Sequence, residues 1–375
     1  MSKDNKKNIV ALNSLKSFTK SSSMDSIKAA VLAAILGLVF GFIVMLLANP
    51  THALAGMNAI LVGGLRRIPD VFYYATPIMM TGLAVGFAYK MGMFNIGASG
   101  QFTMGMFWAM YVGFMFDMPP VLHCFVAVIA GTIGGMAWGF IPGFFKAYFN
   151  VNEVITSIMF NYIGMYFVDM WVQGNAAMYV SSKTRTAYLP DSVQLPSLGI
   201  TGSSVSVAII IAILIAVALY IVLYKTTFGY ELRATGFNKH GAEYAGMNGK
   251  KNIILTMVIA GGLAGLGGAF AILAPATIAG SSMTYEPVNV IAGEGFDGIA
   301  VALLGASNPI GIIFAALFIS LLKCGGTLAS LYGFKPEIVD VVVAIIIYFS
   351  AFAMFMSSML KTKLAKLGKK KDKEV

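Results

Sequence analysis

Long apolar runs, separated by short polar or Pro/Gly-rich segments, occupy most of the chain. Each run is long enough for a helix that crosses a hydrocarbon layer about 30 Å thick, which requires ~20 apolar residues. The pattern predicts an all-α, polytopic membrane protein with about ten transmembrane helices. The predicted spans are residues 29–48, 71–90, 95–116, 121–145, 154–172, 204–224, 252–274, 288–306, 309–326 and 337–357.

Polar ends flank these spans and define the expected domains. Residues 1–28 are predicted to form a cytoplasmic N-terminal tail, residues 29–357 a transmembrane domain, and residues 358–375 a basic cytoplasmic C-terminal tail. The first polar stretch is too long for the charged region of a cleavable signal peptide, and the apolar run after it is span-length. We therefore expect the first helix to be retained. Helices 2–5 and 7–10 are expected to form an inverted repeat.

Lysine and arginine positions indicate the orientation of the spans. If residue 1 is cytoplasmic, 20 of the 26 basic residues fall on the cytoplasmic side, as the positive-inside rule requires. Both termini are thus predicted to be cytoplasmic, with an even number of spans. The basic residues left outside are Arg66, Arg67, Lys183, Arg185, Lys323 and Lys335.

Composition supports the membrane assignment, because 58% of residues are hydrophobic and only 11% are charged. Soluble domains average about 25% charged residues. The net charge of +10 does not indicate a nucleic-acid partner, since the basic residues lie in tails and short loops. Cys124 and Cys324 lie in apolar stretches without disulfide or metal spacing, and no cluster of histidines or acids predicts a metal or cofactor.

Three longer polar segments interrupt the apolar pattern: Asn49 to Asp70 and Gln173 to Ser203 outside, and Lys225 to Lys251 inside. The cytoplasmic segment is long, mixed in charge and punctuated by glycines. It is predicted to contain a short helix from about Lys239 to Ala245 on the membrane surface and to contact a partner. The alternative interpretation is an ordinary solvated loop.

Glycines recur every four residues in two predicted helices, which places them on one helix face where another backbone can approach. In both helices this spacing indicates helix packing rather than chemistry. The glycine sets are Gly131, Gly135, Gly139 and Gly143 in the fourth span, and Gly261, Gly265 and Gly268, with Ala264, in the seventh.

Few ionisable groups fall inside the spans, and each is costly there, by roughly 2.5 to 3.5 kcal/mol. Glu294 and Asp297 share a helix face within a glycine-rich stretch, Gly293 to Gly305. They predict a polar translocation path near a broken helix. An equally weighted alternative is that both acids pair with neighbouring helices and hold a bend.

Uncharged amides mark two other positions. Asn95 and Gln101 flank glycines at the cytoplasmic entry of the third span, where a tight turn with a capped helix start would also explain Asn95. Asn152 and Glu153 are predicted to cap the fifth span, and Asn161 lies two turns deeper, with either a structural or a path-lining role.

The joint occurrence of FNIGASGQ (94–101), NEVITSIMFNY (152–162) and GEGFDGIAVALLG (293–305) followed by Asn308 and Pro309 resembles bacterial ABC importer permeases. The resemblance covers residues 27–357 and is to the branched-chain amino acid, ribose and nucleoside group, most of all its nucleoside branch. The sequence has no phosphate-binding GxxxxGK[ST] motif, so ATP chemistry is expected from a separate subunit, and the chain itself is not predicted to be an enzyme.

The resemblance implies a nucleoside pore in the bacterial cell membrane, formed with a second permease chain that is commonly a different protein in the nucleoside branch. Two ATPase subunits and a substrate-binding lipoprotein or periplasmic protein are the other implied partners, within membrane lipid. Path residues are then expected to be Asn95, Gln101, Asn161, Glu294 and Asp297. ATPase-coupling residues are expected to be Glu231, Arg233, Gly236, Asn238, Glu243 and Gly246.

One position departs from the family pattern, because Ser99 stands where the family usually has an acidic residue. A role that depends on that carboxylate does not transfer to this chain. Three alternatives remain at this point: the same importer carrying a simple sugar or branched-chain amino acid, an ion-coupled secondary transporter using Glu294 and Asp297, and a membrane-embedded enzyme. The last lacks any nucleophile and base pairing in the sequence.

Overall fold

The computed structural model describes residues 30–200, 202–276, 281–335 and 337–349. The predicted tails, 1–28 and 358–375, lie outside these residues. The described part is mostly helical and has almost no strand. Its helices are α1 (Ala30–Ala48), α2 (Ala53–Arg66), α3 (Ile68–Lys90), α4 (Ala98–Met115), α5 (Pro120–Phe149), α6 (Glu153–Gln173), α7 (Ala208–Lys225), α8 (Thr227–Phe237), α9 (Lys239–Tyr244), α10 (Gly249–Ile272), α11 (Gly293–Leu304), α12 (Pro309–Ala329) and α13 (337–349).

Six of the described helices are long and apolar enough to cross a membrane, namely α1, α3, α5, α7, α10 and α12. This confirms an all-α protein with several candidate membrane spans. In contrast, α11 has 12 residues, or about 18 Å at 1.5 Å per residue, and is too short for a 30 Å hydrocarbon core. The predicted span 288–306 starts too early, because the helix begins at Gly293.

Side chains at helix starts explain several boundaries. The Asn152 Oδ1 accepts a hydrogen bond from the Val154 N–H at 2.8 Å, and the Glu153 carboxylate pairs with Lys146 at 2.8 Å. The predicted cap of α6 is thus confirmed. Asn308 caps α12 in the same way, and Asn248 caps α10.

The chain forms two compact units. Among the described residues, the first comprises 30–54, 333–335 and 337–349, and in it Gly37 and Gly41 of α1 lie against Ile346 and Val342 of α13. The second comprises Ala55–Tyr332 and contains the candidate functional residues.

Helices α4, α5 and α10 approach each other through glycines. A Cβ atom at Gly135 of α5 would lie 2.6 Å from the Gly265 Cα of α10, and one at Gly139 would lie 2.9 Å from the Gly261 Cα. A Cβ at Gly105 of α4 would overlap the Gly265 backbone. Only glycine permits such an approach, and the close packing that results is a main source of helix association in lipid. The predicted packing role of both glycine sets is confirmed.

The segment from Asn49 to Asp70 was expected to be a soluble loop, and this prediction is wrong. It contains the apolar helix α2, whose central turn, Ala59–Gly63, is a π-helix. A Cβ at Gly64 would lie 3.0 Å from the Leu321 side chain, and one at Gly325 would overlap the Ile60 backbone. Small residues on both helices therefore let α2 lie directly on α12.

The segment between α6 and α7 is irregular but well packed. Tyr179–Val180 and Arg185–Thr186 form a short antiparallel hairpin, with Tyr179 opposite Thr186. Thr186 and Tyr285 exchange two hydrogen bonds: the Thr186 N–H donates to the Tyr285 carbonyl at 2.9 Å, and the Tyr285 N–H donates to the Thr186 Oγ1 at 3.0 Å. The hairpin thus holds the loop that leads into α11.

We predict that Gly135→Ala lowers the free energy of unfolding by about 1–3 kcal/mol, because the added methyl group overpacks the contact with Gly265. Ala137→Val is the matched control, since residue 137 is exposed on the same helix and the change should cost under about 0.5 kcal/mol. Thermal unfolding of the purified proteins, followed by tryptophan fluorescence, measures both. Equal melting temperatures for the two variants would contradict the packing role.

Candidate functional site

Asn95 and Gln101 form a buried amide pair at the start of α4. The Asn95 Nδ2 donates to the Gln101 Oε1 at 2.8 Å, and the Gln101 Nε2 donates to the Asn95 Oδ1 at 3.2 Å. Both side chains are almost completely buried. Asn95 does not cap the helix, because the N-cap residue is Gly97 and makes no side-chain cap bond.

Asn161 of α6 forms hydrogen bonds to the backbone at the start of α4. Its Oδ1 accepts from the Gly100 N–H at 2.8 Å, and its Nδ2 donates to the Ile96 carbonyl at 2.9 Å. Asn161 lies about 12 Å along α6 from Glu153. The start of α4 is therefore inside the bundle, and residues 91–97 reach it as irregular chain after α3 ends. Irregular backbone at such a depth is typical of transporter sites.

The start of α11 lies beside the start of α4. The Thr81 Oγ1 of α3 donates to the Glu294 carbonyl at 2.7 Å, and Thr81 is about 13 Å along α3 from Lys90. A Cβ at Gly295 would lie 2.5 Å from the Ser99 Cα. The first turns of α4 and α11 are thus in direct contact. The Ser99 hydroxyl is buried without a hydrogen-bond partner.

Asp297 of α11 forms an ion pair with Lys323 of α12. The Lys323 Nζ is 2.5 Å from the Asp297 Oδ2, and the two side chains are 26% and 15% exposed. Lys323 lies within α12, inside the predicted span 309–326, and was counted among the basic residues on the outer side. Glu294 lies one turn before Asp297 and is also partly exposed. The pairing matches the alternative in which an acid binds a neighbouring helix, while a role in a path stays a prediction.

Asp169 near the end of α6 holds the loop before α11. Its Oδ1 accepts from the Tyr285 hydroxyl at 2.6 Å, and its Oδ2 accepts from the Asn289 N–H at 2.8 Å. Burial, followed by the hydrogen bond to Asp169, raises the pKa of Tyr285. The two bonds fix where the loop turns towards Gly293.

The Lys225 to Lys251 segment folds into α8 and α9, and the predicted short helix after Asn238 is confirmed as Lys239–Tyr244. The Asn238 Oδ1 caps α9 by accepting from the Gly241 N–H at 3.0 Å. Glu243 lies 3.8 Å from His240, and Gly246 has a φ of 83°, which glycine tolerates.

The coupling residues predicted in α8 face the protein more than those in α9. The Arg233 guanidinium lies over the Tyr224 ring at 5.1 Å, Glu231 is partly buried, and Gly236 packs against Met91. Arg233 and Gly236 therefore contact other parts of the bundle, whereas Asn238 and Glu243 are exposed.

Phe237 and Tyr244 are the most exposed large side chains of this segment, at 95% each. They lie at the ends of α8 and α9, on either side of Asn238 and Glu243. Large aromatic residues are enriched at protein interfaces, so these two exposed residues make the segment a candidate contact site. The sequence reasoning missed both residues, although their aromatic character within a polar segment was the available signal.

Lys323, Thr81 and Asp169 were also missed as site residues. The signal for Lys323 was a lysine within the apolar run 309–326. The signal for Asp169 was an acid near the end of the run 154–172. Among the residues that the structure describes, no three His, Cys, Asp or Glu side chains are grouped to hold a metal ion.

Several apolar helices, two helix starts meeting inside their bundle and an exposed two-helix segment together define a multi-pass membrane protein of transport type. Residues 67–351 match the model of the branched-chain amino acid transport system / permease component family. The chain belongs to this family.

Curated relatives extend the match to nearly the whole chain. The chain is 38% identical to the guanosine ABC transporter permease protein NupP of Bacillus subtilis, over 89% of this chain and 96% of that protein. It is 35% identical to the nucleoside ABC transporter permease protein NupB of Lactococcus lactis, over 90% and 95%. A 25% identity to the guanosine ABC transporter permease protein NupQ of B. subtilis covers 73% and 86%. No solved structure matches.

We predict that Lys323→Met and Asp297→Asn each destabilise the protein more than the double variant does. Each single change removes one side of this ion pair and keeps the other charge, whereas the double change removes both charges of the pair. Because the pair is partly exposed, we expect a coupling energy of only about 1 kcal/mol. Thermal unfolding of the four proteins gives the double-mutant cycle, and additive effects would show that the pair does not contribute.

Proposed function

We propose that this chain is a transmembrane permease subunit of an ATP-binding-cassette importer for nucleosides. The observation that carries the proposal is the 38% identity to a guanosine permease over almost the full length of both chains. The chain supplies the pore and carries no ATPase site of its own. It works in the bacterial cell membrane with separate ATPase subunits and with a binding protein that delivers the nucleoside.

The proposed topology has ten membrane segments with both termini in the cytoplasm. The Lys90 end of α3 and the α8–α9 segment are then cytoplasmic, and Asp169 lies near the outer surface. An inverted repeat relates residues 71–172 to residues 252–357. Packing supports it, because α4 lies against α10 while α11 lies against α3, and α4 and α11 each begin after irregular chain.

The proposed path runs beside the meeting point of α4 and α11. Glu294, Asp297 and Lys323 are partly exposed polar groups on apolar helices, and such groups require a water-filled path or a protein partner. The three amide residues are buried and hydrogen-bonded, namely Asn95, Gln101 and Asn161. Their proposed role is to hold the first turn of α4 and so to support the wall of the path.

A second permease chain is proposed to close the path. B. subtilis has two guanosine permease proteins, NupP and NupQ, and this chain resembles the first much more than the second. We therefore infer a pair of different permeases. In this arrangement the partly exposed ion pair of Asp297 and Lys323 faces either the second permease chain or the water-filled path.

Reconstitution tests the function directly. The chain is co-expressed with the candidate ATPase, second permease and binding protein, purified as a complex, and placed in vesicles with ATP. We expect ATP-dependent uptake of labelled guanosine and other nucleosides but not of ribose or leucine. Uptake of ribose or leucine instead would indicate the alternative cargo. Uptake that persists without the ATPase and follows an ion gradient would indicate a secondary transporter.

We predict that Phe237→Ala and Tyr244→Ala each weaken ATPase binding by about tenfold or more, since exposed aromatic residues are typical interface anchors. Phe125→Ala is the control, because Phe125 is 62% exposed on the membrane-spanning helix α5. Binding of the purified ATPase to the permease pair in nanodiscs gives the dissociation constants. Unchanged binding in both aromatic variants would place the ATPase elsewhere.

A further inference from the structure

The last turns of α5 are long enough to leave the hydrocarbon layer of a membrane. The helix has 30 residues, which gives a length of about 45 Å at 1.5 Å per residue. The hydrocarbon layer is about 30 Å thick, and about 40–45 Å includes the headgroup regions. In the proposed topology, the Phe149 end of α5 therefore lies among the headgroups of the inner leaflet.

Exposed aromatic side chains surround this end of α5. Tyr148 and Phe149 are 56% and 63% exposed. The Phe144 ring centre lies 5.0 Å from that of Tyr148, and the Phe145 ring centre lies 5.9 Å from that of Phe149. Tyrosine is enriched at the headgroup level of membranes, because its ring is apolar and its hydroxyl group is polar. These four residues form an aromatic patch at the headgroup level.

The start of α10 adds positive charge to the aromatic patch. The Lys250 Nζ lies 5.0 Å from the centre of the Tyr148 ring, which is a cation–π contact. Lys250 and its neighbour Lys251 are both exposed. Among the residues that the structure describes, neither lysine forms an ion pair with an acid. The Lys250 ammonium group is therefore held at the aromatic patch without a bound carboxylate.

The acids near this surface have cations of their own. The Glu153 carboxylate forms an ion pair with Lys146 at 2.8 Å. Glu243 adjoins the start of α10, because a Cβ at Gly249 would lie 2.8 Å from the Glu243 Oε1. The same Cβ would lie 3.4 Å from the Lys239 Cε, so Glu243 also has a lysine beside it. The positive charge at the start of α10 thus remains available to an anion.

We propose that Lys250 and Tyr148 bind the headgroup of an anionic phospholipid in the inner leaflet. The Lys250 ammonium group and the Tyr148 hydroxyl donate hydrogen bonds to phosphate oxygens, and the exposed aromatic rings contact the acyl chains. Basic sites between helices on the cytoplasmic side of a membrane are suited to such headgroups. A soluble anion would use the charge but not the rings, so a lipid fits both features. The inference rests on the topology given with the proposed function and is independent of the cargo.

Native mass spectrometry of the full-length chain in detergent tests the site, with phosphatidylglycerol and phosphatidylcholine added at equal concentrations. We expect phosphatidylglycerol to bind in preference. Lys250→Gln should weaken this binding about fivefold, the usual contribution of one lysine near an anionic membrane surface, and Lys250→Arg should retain it. Lys225→Gln is the matched control, because Lys225 is exposed at the cytoplasmic end of α7. Equal losses in the two glutamine variants, or no preference between the lipids, would overturn the proposal.

A tyrosine variant separates this site from a general attraction of positive charge. Tyr148→Leu keeps every charge but removes the ring below Lys250, so phosphatidylglycerol binding should weaken about threefold. Tyr166→Leu is the control, because Tyr166 is 57% exposed on α6. Excess inorganic phosphate should not displace the lipid. Displacement by phosphate would indicate a site for soluble anions, and unchanged binding in Tyr148→Leu would also contradict the proposal.

Thermal unfolding in nanodiscs shows whether the variants fold and gives an independent readout. In phosphatidylcholine, Lys250→Gln should melt at the same temperature as the unmodified chain. Added phosphatidylglycerol should raise the melting temperature of the unmodified chain more than that of Lys250→Gln, because a ligand that binds the folded state stabilises it. An equal rise in both would overturn the lipid site. These measurements involve no nucleoside or ATPase, so the proposed function fails separately, in the uptake assay.

Discussion

The contact of glycine backbones between α4, α5 and α10 is the constraint on which the other features depend. Lipid provides no hydrophobic drive for helices to associate, so stability comes from close van der Waals packing. With Gly105, Gly135 and Gly265 in contact, the axis of α4 is fixed relative to α10. The start of α4 can then lie deep in the bundle, because the rest of the helix is anchored beyond it.

Polar groups in the bundle fall into two classes that follow from this packing. Those at the start of α4 are buried and hydrogen-bonded: Asn95 pairs with Gln101, and Asn161 of α6 donates to the Ile96 carbonyl. Those on α11 and α12 are partly exposed and include charges, with Asp297 bound to Lys323. The first class makes a rigid wall, and the second makes the surface that needs a partner or water.

Much of the fold could be predicted because its signals are local. Apolar runs gave the long helices, the four-residue glycine period gave the packing faces, and Asn152 gave the start of α6. Local patterns could not predict the length of α11, since the run 288–306 is apolar enough for a helix that spans the membrane. Its first residues are instead held outside the helix by Asp169, which is far away in the sequence.

The site was predictable only in part for the same reason. Glu294, Asp297, Asn95 and Asn161 were recognisable as unusual polar residues in apolar runs. Their partners were not, because pairing of Asp297 with Lys323 depends on how α11 and α12 pack. The exposure of Phe237 and Tyr244 likewise depends on how α8 and α9 pack, although two aromatic residues within a polar segment were a local signal.

The shortness of α11 also has a consequence for biogenesis. A helix of 12 residues with two acids in its first turns gains too little from lipid to enter the membrane by itself. Lys323 on α12 carries the opposite charge, so the two helices are less costly to insert as a hairpin than separately. We therefore expect α11 to insert together with α12, so that the order of synthesis affects how the pore is assembled.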